Sequence, residues 1–189
     1  VLGAEQHGHM EAVGYDLYCK LLNTAVKEEK GELTEMPSFD TQIDCDIDAF
    51  IPDSYIPNEQ QKLDIYKRIS SIENEEDFSE MQDELLDRFG EIPKPCMNLL
   101  RIALLRAEAH HAYVTEADIR KGSWKLLFDA SADIRVEEIP VLIREQQGRL
   151  RFVPGKQTML VFRQSTHEKT WTLLETLDDV EKVVKRLAK

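Results

Sequence analysis

Glycine is scarce in this chain: 8 of 189 residues, none of them clustered. Neither the phosphate cradle G-x-x-x-x-G-K-[ST] nor the dinucleotide turn G-x-G-x-x-G occurs. H-E-x-x-H and the G-x-S-x-G nucleophile elbow are absent too, and no catalytic constellation emerges. Cysteine is just as sparse. Cys19, Cys45 and Cys96 are far apart and odd in number, so they form no zinc or redox pair and suit a reducing compartment. Basic residues are outnumbered, 24 Lys plus Arg against 36 Asp plus Glu, for a net charge of −12. Such a surface is a poor grip for nucleic acid, where binding rests on neutralising phosphates, and for anionic membranes. No apolar run is long enough for a transmembrane span, and none has the layout of a signal peptide.

What is present is the composition of a folded protein, 42% hydrophobic and 32% charged, with length enough for a domain and an appendage. The negative charge is concentrated. Residues 28–91 hold 5 basic and 20 acidic side chains, net −15, whereas residues 1–27 come to −1 and residues 92–189 to +4. The chain begins at Val1, within Val-Leu-Gly-Ala, and is expected to be a piece of a longer protein.

Three/four spacing of Val13, Leu17, Leu21, Leu22, Ala25 and Val26 predicts a helical arm over about 10–30, closed by Gly31. Residues 33–40 read as a linker. Alternation over Gln42–Asp48 predicts a half-buried strand. Asn58 with Gln61 forms a capping box for a helix to about Ser71, with Leu63, Tyr66 and Ile69 inward. Asn74 caps the next helix, which ends at Phe89-Gly90. Pro93 and Pro95 start a third, to about His111, apolar nearly all round. Strands follow at Tyr113–Ile119 and Lys125–Asp129, then a helix over about 136–146 and a hairpin of Arg149–Val153 with Thr158–Arg163. Ser165 with Glu168 reads as the capping box of a last helix carrying Trp171, Leu174, Leu177, Val184 and Leu187 inward. The fold class is α+β: several helices on a small mixed or antiparallel sheet, preceded by the long N-terminal arm. The expected organisation is an arm and upstream tail over 1–32, the linker, and one C-terminal domain over 41–189.

Candidate chemistry is thin. His7 and His9, with Glu5 and Glu11, lack further ligands at metal spacing and read as solvated side chains. Cys19 reads as an apolar filler. His110 and His111 point about 100° apart on a helix and cannot chelate together, so one is expected at the helix C-terminus and the other in solvent. Asp44, Asp46 and Asp48 fall on one strand face, which a metal- or acid-dependent hydrolase would use with nearby carboxylates; an exposed strand face explains them as well. The strongest feature is the helix 74–89. Phe78, Met81, Leu85 and Phe89 share one stripe, and Glu76, Glu80, Asp83, Glu84 and Asp87 lie within about 100° of one another opposite it. Arg88 can pair with Glu84 at i, i+4; the other carboxylates have no basic neighbour on that face. This is a solvated face or a docking surface for a basic partner.

Two runs are distinctive: DIDAFIPDSYIPNEQQKLDIYKRI at residues 46–69 and DELLDRFGEIP at residues 83–93. Together they resemble the C-terminal domain of bacterial transcription-repair coupling factors. LGAEQHGHMEAVGYDLY at residues 2–18 resembles the end of that family's second translocase lobe, although the family usually has Gln-Ser-Gly where this chain has Gln6-His7-Gly8. Beyond about residue 113 the likeness rests on the order of elements.

The resemblance implies a cytoplasmic parent that translocates on double-stranded DNA using ATP and Mg, releases RNA polymerase stalled at lesions and recruits nucleotide excision repair. The ATPase motifs belong upstream, so this piece is expected to hold no catalytic residue, cofactor or metal of its own. Gln6 matches the tail of the translocation motif. The C-terminal domain would be an autoinhibitory clamp on the same protein's N-terminal repair-recruiting domain, hiding the surface that binds the damage-recognition protein of excision repair. Glu84 and Asp87 match the clamp's acidic positions, with Glu80 and Asp83 beside them as further candidates. The alternatives are a stand-alone acidic docking module and a DNA mimic that fills a basic groove. No membrane role is implied.

Overall fold

The structure, a computed structural model, describes residues 39–189. Gln6, the predicted arm over 10–30, the His7/His9 group with Glu5 and Glu11, Cys19 and the linker as far as residue 38 lie outside the described residues. The described residues divide into two compact units, one over 47–104 and the other over 39–46 and 105–189.

The first unit is helical. It holds α1 (Glu59–Ser70), α2 (Glu75–Phe89) and the beginning of α3 (Lys94–His111), which passes into the second unit at Leu105. Asn58 caps α1 as its Oδ1 accepts from the Gln61 N–H at 2.9 Å. The phase of α1 differs from the expected one. Lys62, Ile65 and Ile69 are buried, while Leu63 is 45% exposed. Lys62 takes the inward position because its aliphatic stem is buried while its ammonium pairs with Asp53 and, at 3.7 Å, with Glu59. The Tyr66 hydroxyl accepts the Ile51 N–H at 2.9 Å and so ties the Pro-bounded segment to the helix. Phe50 N–H donates to Pro95 O, and Asn98 donates to Asp48 O. Ile51, Ile56, Leu85, Cys96, Leu99 and Leu100 are sealed from solvent. Burial pushes the Cys96 thiol up to about 12, so it is neutral filler.

The second unit contains a five-stranded mixed sheet, with β1 (Gln42–Cys45), β2 (Val114–Arg120), β3 (Ser123–Phe128), β4 (Leu150–Val153) and β5 (Met159–Arg163) in the order β1-β2-β3-β5-β4. β1 is parallel to β2; every other pairing is antiparallel. The predicted hairpin of β4 with β5 forms as expected. α4 (Glu138–Glu145) packs by β4, and α5 (Leu173–Leu187) lies on β2 and β3. The core face carries Ala117, Ile119, Trp124, Leu126, Leu160 and Phe162, with Trp124 and Phe162 stacked at 5.6 Å. The five helices and mixed sheet among the described residues give the expected α+β class.

The start of the last helix needs correction. α5 begins at Leu173, capped by Thr172: the Glu175 N–H donates to Thr172 Oγ1 and the Thr172 N–H to Glu175 Oε1, both at 3.1 Å. Ser165 and Glu168 close a separate turn, in which Glu168 accepts the Ser165 N–H at 2.7 Å and pairs with Arg149 at 2.7 Å. A carboxylate three residues on satisfies a backbone donor in a turn as well as at a helix start. The buried face of α5 is therefore Thr176, Leu177, Val180, Val183, Val184 and Leu187, with Leu174 exposed and Trp171 placed before the helix against Phe162.

One junction holds this sheet and helix together. The β2–β3 turn needs Gly122 at φ +74, and a Cβ there would run into the Gln164 side chain. The Gly122 N–H donates to the fully buried Thr176 hydroxyl at 2.9 Å, and that hydroxyl donates to Thr172 O at 2.9 Å. The Gln164 N–H donates to Gly122 O, while its side-chain amide serves Lys169 O and the Trp171 N–H. Gly122→Ala should lower the urea midpoint, the left-handed backbone alone costing about 1–2 kcal/mol. Thr176→Val is nearly the same size but strands the Gly122 N–H, and should cost about 1–3 kcal/mol in the same denaturation experiment.

Candidate functional site

The acidic helix α2 is built by local rules that leave it little freedom. Asn74 Oδ1 accepts the Asp77 N–H at 2.8 Å, and Asp77 Oδ2 in turn accepts the Glu73 N–H at 3.1 Å. Glu75, Glu76 and Asp77 fill its first turn, where the helix dipole favours anions, and Arg88 its last. Gly90 ends it at φ +85. The Tyr55 hydroxyl then seals that end, 2.9 Å from Gly90 O and 3.1 Å from Leu85 O, with its ring 5.8 Å from Phe89. Burial pushes the Tyr55 hydroxyl up to about 12.

Met81 and Leu85 are buried, and Phe78 and Phe89 are half-buried, so the apolar stripe faces inward as predicted. Glu76, Glu80, Asp83 and Asp87 are exposed, spaced i, i+4, i+7, i+11 along one line. None of these four has an ion partner among the described residues. Leu86 stands beside them, 48% exposed.

Glu84 differs from its neighbours. Arg68 of α1 grips it with both guanidinium nitrogens, Nη2 to Oε1 at 2.7 Å and Nη1 to Oε2, and Arg88 adds a bond to Oε2 at 3.0 Å. Its carboxylate is only 30% exposed. The fork from Arg68 first, then the bond from Arg88, holds the Glu84 carboxyl below the usual carboxylate range. Sequence reasoning found the i, i+4 partner and missed Arg68, which lies sixteen residues away on another helix. The short link between α1 and α2, which makes antiparallel neighbours, was the available signal. Of the four acidic candidates, Asp87, Asp83 and Glu80 have no ion partner among the described residues, whereas Glu84 already pairs with Arg68 and Arg88.

The other candidates separate. β1 ends at Cys45, so Asp46 and Asp48 do not continue the strand face of Asp44. Asp44 pairs with Arg120 at 3.5 Å, which also holds Asp118 at 3.0 Å. These three carboxylates form no cluster of ligand atoms within the reach of one ion. His111 is exposed as expected, and His110 lies against Thr41 Oγ1 at 3.2 Å and the Phe39 ring at 4.6 Å. No helix among the described residues is long and apolar enough to cross a membrane.

Comparison with known proteins places this geometry in a family. The sequence profile of the TRCF domain matches residues 45–139, half of the chain. The chain belongs to the TRCF domain family. The transcription-repair-coupling factor of Bacillus subtilis (strain 168) is 40% identical over 136 residues, 71% of this chain and 12% of that protein. That of Staphylococcus epidermidis is 37% identical over 142 residues, 74% of this chain and again 12% of the protein. The chain therefore spans about an eighth of the length of these relatives. A crystal structure of the C-terminal domain of a transcription-repair coupling factor has the same fold. Its TM-score is 0.57 at 24% identity, covering 78% of this chain and 94% of that one. The TRCF fold seen here is thus that of a transcription-repair coupling factor's C-terminal domain.

The Glu84 pairing has a pH signature. A carboxyl whose folded value is lowered contributes stability that is complete above its ordinary value of 4.5 and is lost as pH falls through the folded value. Glu84→Gln should lower stability at neutral pH and flatten the acid limb of the stability profile below about 4.5, read by urea denaturation at a series of pH values. A limb of unchanged steepness would mean that Arg68 does not hold Glu84 in solution.

Proposed function

We propose that this chain is the regulatory end of a longer transcription-repair coupling factor, and that the exposed face of α2 is its lock. In this reading the parent is an ATP-driven DNA translocase that displaces stalled RNA polymerase and recruits excision repair. The α2 face binds the parent's own N-terminal repair-recruiting domain and masks the surface meant for the damage-recognition protein. Nucleotide and magnesium chemistry is assigned to residues outside this chain, whose sequence carries no glycine-rich phosphate loop.

The observation that carries the reading is the line of carboxylates without ion partners among the described residues. Like charges at i, i+4 spacing cost a helix a few tenths of a kcal/mol per pair. A face that keeps Glu76, Glu80, Asp83 and Asp87 together, next to an exposed Leu86, is suited to arginines and an apolar contact on a partner. Membership of the TRCF domain family supports taking that partner to be a domain of the same parent protein. Release by polymerase engagement would be a population shift between closed and open forms, with tethering in the parent raising the effective concentration of the closed one.

Glu84 has a distinct part. It does not bind the partner; it fixes α2 against α1 so that Asp83 and Asp87 are presented at constant spacing. The lock is tested by titrating this chain with the isolated N-terminal domain of the parent. Asp83→Asn with Asp87→Asn should weaken binding more than tenfold, each charge-assisted bond being worth about 1.5–3 kcal/mol, with an unchanged melting temperature. Raising the salt concentration should weaken the unsubstituted complex in the same direction. An affinity indifferent to both changes would remove α2 from the interface.

A further inference from the structure

The second unit has a groove of about 800 Å³ between α4, the loop that precedes it and the β4–β5 turn. We infer that it is a docking groove for an acidic, amphipathic peptide segment of a partner protein. This goes beyond the lock on α2 and does not depend on it.

The lining is mainly apolar, with Ile139, Ile143 and Phe152 among its walls. Two large apolar side chains stand at solvent: Val136 is 62% exposed and Phe152 42%. A small free ligand held within the cavity would leave much of that lip wet. A peptide that places side chains in the cavity and lays its backbone over the lip covers it. β4 is also the terminal strand of the sheet, which gives an extended segment a main-chain edge beside Phe152.

The charge of the lining selects among peptides. Arg144 and Lys156 both line the groove, both are exposed, and neither has an ion partner among the described residues. The single acidic lining residue, Asp129, keeps its charge, its carboxylate accepting from the Ser131 N–H at 3.0 Å and from the Ser131 hydroxyl, so the charged lining residues sum to +1. Two unpaired cations beside apolar walls are complementary to carboxylates flanking large aliphatic or aromatic side chains.

Panning a random-peptide display library against this chain tests the assignment without presuming one sequence. Enriched peptides should combine Leu, Ile or Phe with Asp or Glu. Synthetic copies should bind at least tenfold more weakly to Arg144→Glu with Lys156→Glu, where the rim repels them, and to Val136→Ser. All three positions are exposed, and thermal melting confirms that each variant is folded. Repeating the selection on the charge-reversed chain should enrich basic peptides. No enrichment, enrichment without acidic residues, or binders indifferent to these substitutions would each overturn the proposal. So would displacement of the enriched peptides by a short-chain fatty acid at matched charge, since that would identify a free amphiphile as the occupant.

Discussion

Arg68 reaching from α1 to Glu84 on α2 is the contact on which the first unit's surface depends. Two helices joined by a short link can slide or rotate against each other as long as only apolar side chains meet. A planar guanidinium bonded to both oxygens of one carboxylate has a narrow range of geometries, and Arg88 on the same carboxylate narrows it further. The pair is partly exposed, so its importance is orientation more than net energy. Once α2 is fixed in this way, the inward stripe of Met81 and Leu85 leaves one outward line for Glu80, Asp83 and Asp87.

The same economy explains the ends of α2. Asn74 and Asp77 satisfy donors at its start, and Tyr55 covers carbonyls at its finish, where Gly90 has turned the chain into left-handed backbone. Each is a local solution to groups that a helix cannot satisfy internally. They matter for the proposed lock because a frayed helix would spread its carboxylates over many orientations. An interface made of charge-assisted bonds requires those orientations to be few before binding.

The α+β class, the α2 stripe and its caps, and the β4–β5 hairpin were legible because each depends on residues close in sequence. Three departures from the expected pattern have one origin. Lys62 replaces Leu63 on the buried side of α1 because Asp53 and Glu59 receive its charge. Glu84 carries an intramolecular pairing that its place on the acidic face does not reveal, because Arg68 arrives from another helix. Ser165 with Glu168 has the pattern of a capping box, yet Arg149, stacked near Phe162 and Trp171, recruits Glu168 into a turn. In each case a distant charged group changed the meaning of a local pattern, and periodicity holds no information about distant charge. The parallel pairing of β1 with β2 was hidden for the same reason, as its partners are more than seventy residues apart.

The division of charge bears on how one chain can serve more than one partner. Among the described residues, the unit over 47–104 carries 6 basic and 13 acidic side chains, net −7, and the unit over 39–46 and 105–189 carries 15 and 16, net −1. A net charge of −12 would suggest a single acidic surface with a single kind of ligand. Among the described residues there are instead carboxylates on α2 and cations in the groove beside α4 that have no ion partner. Surfaces of opposite sign repel each other's ligands, so in the proposed reading a basic partner domain and an acidic peptide would have no common site for which to compete. Each can then be tuned by its own few residues, Asp83 and Asp87 for one, Arg144 and Lys156 for the other, and a substitution at one surface leaves the chemistry of the other intact.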